Sequence, residues 1–290
     1  MRASRFAFAI MEARSVGIVG VGMMGGSIAL AALRAGYAVF LYDRAASEKL
    51  AGPKFRKAVV VNDLAELVSN SRLVILATPI GALAQVGAAL SELVGSDHVV
   101  SDVASVKQPV AEVLSTALRN RCEYVPAHPM AGSEKSGAEA ARDDLFAGAV
   151  TLLCPELAAE AASVSLVTRF WEALGTRVVL VSVTAHDQLV AVMSHLPHLI
   201  AALLVKHVAA TDRAALDLCG PGFRDATRIA SGATELWADI LLSNADAVQE
   251  QLRAFKRELE EAMVLLAEKD AKKLQALLDD AKENRDRLSP

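Results

Sequence analysis

The segment Ser15-Val-Gly-Ile-Val19, running directly into Gly20-Val-Gly22-Met23-Met24-Gly25, constrains this chain more than any other feature. A short apolar run, glycines spaced G-x-G-x-x-G and a helical pattern over Ser27 to Ala35 predict a strand, a tight turn and a helix. Gly20 suits the turn, Gly22 lets a ligand approach the backbone, and Gly25 lets helix and strand pack closely. The N–H groups that open such a helix bind anions, so the expected ligand is a dinucleotide pyrophosphate, with Met23 and Met24 in the loop beside it.

Two further strand ends fit that expectation. The next apolar run closes on Tyr42-Asp43-Arg44, about twenty residues beyond the loop, where the Asp43 carboxylate can accept from a ribose 2'-hydroxyl. That favours NAD. Arg44 can hold a 2'-phosphate or stack on adenine, so NADP stays open. Ala77-Thr78-Pro79 ends another run, which places Thr78 and Pro79 at the carboxyl edge of the sheet, where open α/β sheets bind ligands.

Runs of β-forming residues at Ser15 to Val19, Ala38 to Tyr42, Leu73 to Ala77, Val99 to Asp102 and Arg177 to Val181 alternate with Ala-rich helical stretches. This is the pattern of a parallel sheet covered on both faces, a Rossmann-type α/β domain. After about Val183 no strand is expected, and Ala185 to Ala209, Thr234 to Leu241 and Ala245 to Lys282 read as helices. We therefore expect a loose leader over residues 1–14, a dinucleotide-binding domain over 15–183 and an all-α domain over 184–290. Met11 is a second possible start.

Of the 290 residues 53% are hydrophobic and 22% charged, a globular composition. With 30 Lys and Arg against 34 Asp and Glu there is no basic field to neutralise a phosphate backbone, so nucleic acid is not an expected partner. The uncharged stretch Leu73 to Ser91 is interrupted by Thr78, Pro79, Gly81, Gln85 and Gly87, and no membrane span is expected. Cys122, Cys154 and Cys219 are odd in number and widely spaced, which reads as buried thiols in a reducing cytoplasm.

Candidate chemistry follows the strands. Asp102-Val-Ala-Ser105-Val-Lys107 and Ala127-His128-Pro-Met-Ala-Gly-Ser-Glu134 are both expected on the rim that carries the glycine loop. A histidine there can take a hydroxyl proton while a nicotinamide takes hydride. Ser194-His195-Leu-Pro197-His198 sets His195 and His198 on one helical face; no further ligand cluster accompanies them, so a metal is not expected. Arg224 and Arg228, four apart, project the same way and fit a carboxylate, although one of them can instead pair with Asp225, Glu235 or Asp239. His98, His186 and His207 read as surface or internally satisfied histidines.

Taken together, GVGMMGGS (20–27), DVASVK (102–107), HPMAGSEKSG (128–137), SHLPH (194–198) and GFRDATRIASG (222–232) resemble the prephenate/arogenate dehydrogenases, in that family's order and over about residues 15 to 245. The resemblance implies oxidative decarboxylation of prephenate or arogenate in tyrosine biosynthesis. His128 would be the catalytic histidine, and Ser105 would bind the substrate hydroxyl or position the nicotinamide. Arg228 would grip a substrate carboxylate, His195 and His198 would line the pocket, and Trp237 would stand near it. Pro221 stands where many members have glycine, which leaves the choice of substrate open. Family members are typically dimers through the helical region, so a homodimer is expected. The chain ends after its charged tail, so no further regulatory domain is expected.

Two rival classes match the sequence less well. The β-hydroxyacid dehydrogenases share the loop and a helical second domain but carry a G-x-x-x-K-x-x-x-N helix, whereas Lys206 here has Ala202 and Ala210 at the flanking positions. A non-enzymatic NAD(H)-sensing protein would not be expected to keep His128, Ser105 and Arg228 together.

Overall fold

The computed structural model describes residues 14–44, 53–133 and 135–288. The expected leader, apart from Arg14, lies outside them, as does Glu134. The chain divides into two compact units, residues 1–244 and 245–290.

The first unit is built on a six-stranded parallel sheet, β1 (Ser15–Val19), β2 (Ala38–Tyr42), β3 (Val59–Val60), β4 (Leu73–Leu76), β5 (Val99–Asp102) and β6 (Glu123–Tyr124), in the order β3-β2-β1-β4-β5-β6. The chain reverses direction of travel between β1 and β4, which makes the crevice beyond their carboxyl ends the ligand site of such a sheet. Helices α1 (Met23–Arg34), α2 (Leu64–Ser69), α3 (Leu83–Ser91) and α4 (Gln108–Leu118) connect the strands. All of β4 is buried, and its side chains alternate between two cores: Leu73 and Ile75 join Ile18, Ile28 and Trp171, while Val74 and Leu76 join Val19, Val100 and Leu114. A sheet with apolar cores on both faces is why its strands read as continuous apolar runs rather than alternating ones.

After β6 the structure departs from the single parallel sheet expected of the strand runs. β6 stops at Tyr124, and the chain enters a second sheet of β7 (Ala127–Pro129), β8 (Val150–Leu153) and β9 (Arg177–Leu180), with β7 antiparallel to β8 and β8 parallel to β9. The run at Arg177 belongs to this second sheet, and α5 (Ala161–Ala173) precedes it.

Beyond β9 the chain is helical. α6 (Val183–Val190) passes through a π-turn at Ala191–His195 into α7 (Leu196–Thr211), followed by α8 (Pro221–Thr227) and α9 (Thr234–Ser243). Val183–Thr211 is the one helical run among the described residues long and apolar enough to cross a bilayer, and it carries buried His186, Asp187 and His195 inside the first unit. Leu73 to Ser91 forms β4, a 3-10 turn and α3.

The second unit holds α10 (Ala245–Glu268) and α11 (Ala271–Asp286). The single helix expected over Ala245 to Lys282 is broken where Lys269 adopts φ 55° and the Asp270 side chain caps α11 by accepting from Lys273 N–H at 3.0 Å. Left-handed breaks are usually marked by glycine, and here none is present.

Candidate active site

The glycine loop has the geometry its sequence demands. Gly20 adopts φ +91°, and a Cβ on Gly25 would stand 1.9 Å from the Gly20 carbonyl oxygen, so the first turn of α1 can press against β1 only without one. Gly22 caps α1 without a side chain, and the space where its Cβ would project is open. Thr78 lies against Gly20 across the β1–β4 crevice, and its Oγ1 is shielded from water without a hydrogen-bond partner. An open cradle at a helix N-terminus beside an orphaned hydroxyl fits a dinucleotide pyrophosphate. Asp43, at the end of β2, accepts from Val21 N–H at 2.7 Å, which ties the loop to the carboxylate expected to meet a ribose; Arg44 is exposed beside it. Met23 and Met24 open α1, and Pro79 is exposed just past Thr78.

Around His128 the structure assembles a chain of polar groups. His128 sits on β7 at 8% exposure, and its Nδ1 lies 2.9 Å from Nε2 of His186, which is fully buried on α6. His186 Nδ1 lies 2.7 Å from Asp187 Oδ1. The Asp187 carboxylate in turn accepts from the N–H groups of Lys107 at 2.7 Å and Gln108 at 2.8 Å, where α4 begins without a side-chain cap of its own. Asp187 thus caps a helix from eighty residues away, and the helix dipole favours its charge. The Asp187 carbonyl accepts from Asn244 Nδ2 at 2.8 Å, and the same amide lies 3.2 Å from His195 Nδ1.

Beneath the histidines, Lys107 and Asp102 are both at 0% exposure with Nζ 2.5 Å from Oδ1. Lys107 also donates to the Ala104 carbonyl at 2.8 Å, and Asp102 accepts from Tyr124 hydroxyl at 2.7 Å and Ala104 N–H at 2.9 Å. These bonds fix the loop from Val103 to Lys107, which carries half-buried Ser105.

His195 and His198 are both buried, with His195 Nε2 and His198 Nδ1 lacking any partner. His198 stacks on Trp237 at 3.5 Å between ring centroids, and His195 meets the same indole edge-on at 6.2 Å. Gly232 makes room for this stack, since a Cβ there would lie 2.5 Å from Trp237 Nε1. Arg224 and Arg228 line a cavity of about 430 Å³ with Cys219, Phe223, Thr227 and Ser231, and no histidine is among its lining residues. The structure therefore joins His128 to His195 through a hydrogen-bonded path and joins His195 and His198 to Trp237, while Arg224 and Arg228 line a cavity whose Ser231 adjoins Gly232 beneath that stack.

Sequence reasoning missed His186, Asp187, Asn244 and the Asp102–Lys107–Tyr124 group. A signal for the first pair was present: His186 and Asp187 lie four residues before the apolar Val190 and Ala191, on the same helical face, and all four are buried.

Burial pushes His128 well below its ordinary 6.5, and the neighbouring His186, Lys107 and His195 push it further. Burial also lowers His186, partly opposed by the hydrogen bond to Asp187. It lowers His195 to about 4, against the pull of Asp187, and it lowers His198. Burial raises the Asp187 carboxyl, but the hydrogen bonds from His186, Gln108 and Lys107 outweigh that and hold it below the usual range. At neutral pH the site thus contains neutral imidazoles and an ionised Asp187. Histidines whose folded values lie below 6.5 refuse protons that the unfolded chain accepts, so their contribution to stability is intact above pH 6.5 and is lost as pH falls beneath it. The melting temperature is expected to be level between about pH 8 and 7 and to fall by several degrees by about pH 5.5. An unchanged melting temperature across that window would contradict the buried neutral histidines.

Among known proteins, the family model described as "Prephenate dehydrogenase, nucleotide-binding domain" matches residues 28–180, and the one described as "Prephenate dehydrogenase, dimerization domain" matches residues 182–280. A cyclohexadienyl dehydrogenase from Zymomonas mobilis is 32% identical over 264 residues, 89% of this chain and 90% of that protein. The crystal structure of Aquifex aeolicus prephenate dehydrogenase in complex with hydroxyphenyl propionate and NAD+ superposes with a TM-score of 0.85 at 30% identity, covering 95% of this chain and 98% of that one. The Synechocystis arogenate dehydrogenase structure gives 0.81 at 28% identity, covering 94% and 99%. The glycine loop, the buried histidines and these matches along nearly the whole length lead to one assignment: the chain belongs to the prephenate dehydrogenase family.

Proposed function

We propose that this protein catalyses the NAD-dependent oxidative decarboxylation of prephenate, arogenate or both, with His128 as the base that serves the ring hydroxyl. The observation that carries this reading is His128 itself: it is buried, its Nδ1 is engaged by His186 at 2.9 Å, and Nε2 is the nitrogen left for a substrate. Bound at the glycine loop, NAD supplies the acceptor for the hydride that leaves ring C4.

His128 Nε2 takes the C4 hydroxyl proton as the C–H bond breaks, giving a ring carbonyl conjugated to the carbon that bears the carboxylate. That carbon–carboxylate bond then breaks, its electron pair flows through the ring to the carbonyl oxygen, and carbon dioxide leaves. The oxygen recovers the proton from His128 and the ring becomes aromatic, so His128 ends as it began. Ser105 hydrogen-bonds the hydroxyl, Arg228, with Arg224 beside it, grips a substrate carboxylate, and His195, His198 and Trp237 line the pocket. The partnerless nitrogens of the two pocket histidines support that role, because buried polar atoms left alone in a folded chain are costly unless a ligand meets them. Rigid placement of C4 is the main contribution asked of these residues.

In the same reading, residues 15–183 hold the dinucleotide, and the helical domain over 184–290 carries the substrate-binding His195, His198, Arg224, Arg228 and Trp237 and pairs two copies into a homodimer. The three free thiols, of which Cys154 is buried and Cys122 and Cys219 only half-buried, support a reducing cytoplasm as its compartment. Asp43 makes NAD the preferred cofactor over NADP, since a carboxylate repels a 2'-phosphate. The test is a kinetic matrix of both substrates against both cofactors, followed by absorbance of the reduced nicotinamide. Turnover with NAD well above that with NADP is expected on at least one substrate, and no reduction with either substrate would overturn the assignment.

A further inference from the structure

We propose that His186 and Asp187 form a positioning relay that fixes which nitrogen of His128 carries its proton and takes up the positive charge His128 acquires during turnover. This rests on the reading of His128 as the base.

The hydrogen-bond inventory leaves one arrangement. An ionised Asp187 only accepts, and it already accepts from the Lys107 and Gln108 N–H groups, so the contact at 2.7 Å requires the His186 proton on Nδ1. Neutral His186 has no second proton, so its Nε2 is an acceptor. The contact at 2.9 Å then requires His128 to donate from Nδ1. The His128 proton is thereby held away from the substrate side, and the Nε2 lone pair is bare. Without the relay the two tautomers of His128 would compete, and the form protonated on Nε2 cannot accept.

The same contacts give the charge somewhere to go. When Nε2 bonds the substrate proton, the Nδ1–H bond of His128 can break as a new bond forms to His186 Nε2. The cation then sits on His186 at hydrogen-bond distance from the Asp187 carboxylate. One proton enters the pair, one shifts within it, and no electrons are exchanged. Release reverses both movements, returning the proton to the substrate oxygen. The other charged and titratable groups facing the relay are Lys107 with its partner Asp102, His195, and Cys154, whose thiol burial pushes up to about 12. Asp102 offsets Lys107, which leaves Asp187 as the anion hydrogen-bonded to the pair.

Asp187→Asn keeps the shape and removes the charge. It is expected to lower kcat by roughly a hundredfold, with KM and the NAD dissociation constant within about threefold of wild type, a split that a general loss of packing does not produce. The acid limb of kcat/KM should move to lower pH, because the group that raises the histidine pair is gone. His186→Gln preserves an acceptor for His128 but cannot take a proton, and it is expected to lower kcat by at least about tenfold. It also serves if Asp187→Asn weakens the start of α4. Nitrogen-15 spectra of the histidine rings read the tautomer directly and need no substrate. The wild-type His128 proton is expected on Nδ1, and in Asp187→Asn it should be distributed over both nitrogens. A wild-type ring protonated on Nε2, or kcat in His186→Gln within about twofold of wild type, overturns the relay. Should the wild-type chain turn over neither substrate, the ring spectra still decide the relay apart from the functional reading.

Discussion

Replacing His128 with asparagine lowers kcat by about two to four orders of magnitude while leaving NAD affinity nearly unchanged, the usual worth of a positioned base. Asparagine is the informative choice because its side-chain amide stands close to where Nδ1 stood and can still donate to His186 Nε2, now 2.9 Å from the ring. What it lacks is a basic nitrogen at the Nε2 position. The β7–β8 pairing of His128 with Leu152 is a backbone register and is unaffected, and the glycine loop is formed by other elements. Loss of stability is therefore not the expected cause of the lost rate. The pH profile supplies a second reading. Burial holds His128 well below 6.5, so the wild-type acid limb falls below that pH as an apparent value of the coupled histidine pair, and the residual activity of the variant should lose that limb. A variant that retains a near wild-type rate removes His128 from the chemistry.

How much of this was legible in the sequence depends on where each residue's partners lie. β1, β2 and β5 match the apolar runs read from sequence residue for residue, because strands buried on both faces have no polar alternation to blur their ends. β4 and β9 stop one residue short of the runs, at Leu76 and Leu180. β3 has two residues and β7 three, too few for a periodic signal, and the second sheet that carries His128 is built by pairing β7 with β8, which no local pattern marks. The glycine loop was legible because its constraint is local: a positive φ at Gly20 and a missing Cβ at Gly25 are read from a six-residue pattern.

The proposed site is legible only where its residues sit in recognisable motifs, as His128, His195 and His198 do, while Trp237 enters by resemblance. In the sequence His186 reads as a surface or internally satisfied histidine. It is satisfied, but by His128 and Asp187, and that pairing exists only once α6 folds against β7 and the start of α4. In the sequence Lys107 and Asp102 bracket a loop and show no role of their own. A lysine at 0% exposure cannot be inferred from its neighbours in sequence, since burial of a charge requires the partners that three-dimensional packing brings to it.

Those partners make Lys107→Met the other large effect. Bringing both charges into the core costs several kcal/mol per ion, and only their mutual attraction and complete hydrogen bonding offset it. Here the pair is embedded in such bonds: Lys107 Nζ donates to Asp102 and the Ala104 carbonyl, and Asp102 also accepts from Tyr124 and Ala104 N–H. Methionine removes the cation and leaves Asp102 as an unpaired carboxylate at 0% exposure, which is expected to cost about 3–5 kcal/mol in denaturant unfolding. Adding Asp102→Asn removes the stranded charge, so the double variant should be more stable than Lys107→Met alone, an antagonism that simple loss of contacts cannot produce. Its activity should nevertheless stay low, because the loop from Val103 to Lys107 loses the bonds that hold Ser105 in place. A Lys107→Met protein destabilised by less than about 1 kcal/mol, or a double variant weaker than the single, would show that the pair is not a mutually dependent buried ion pair.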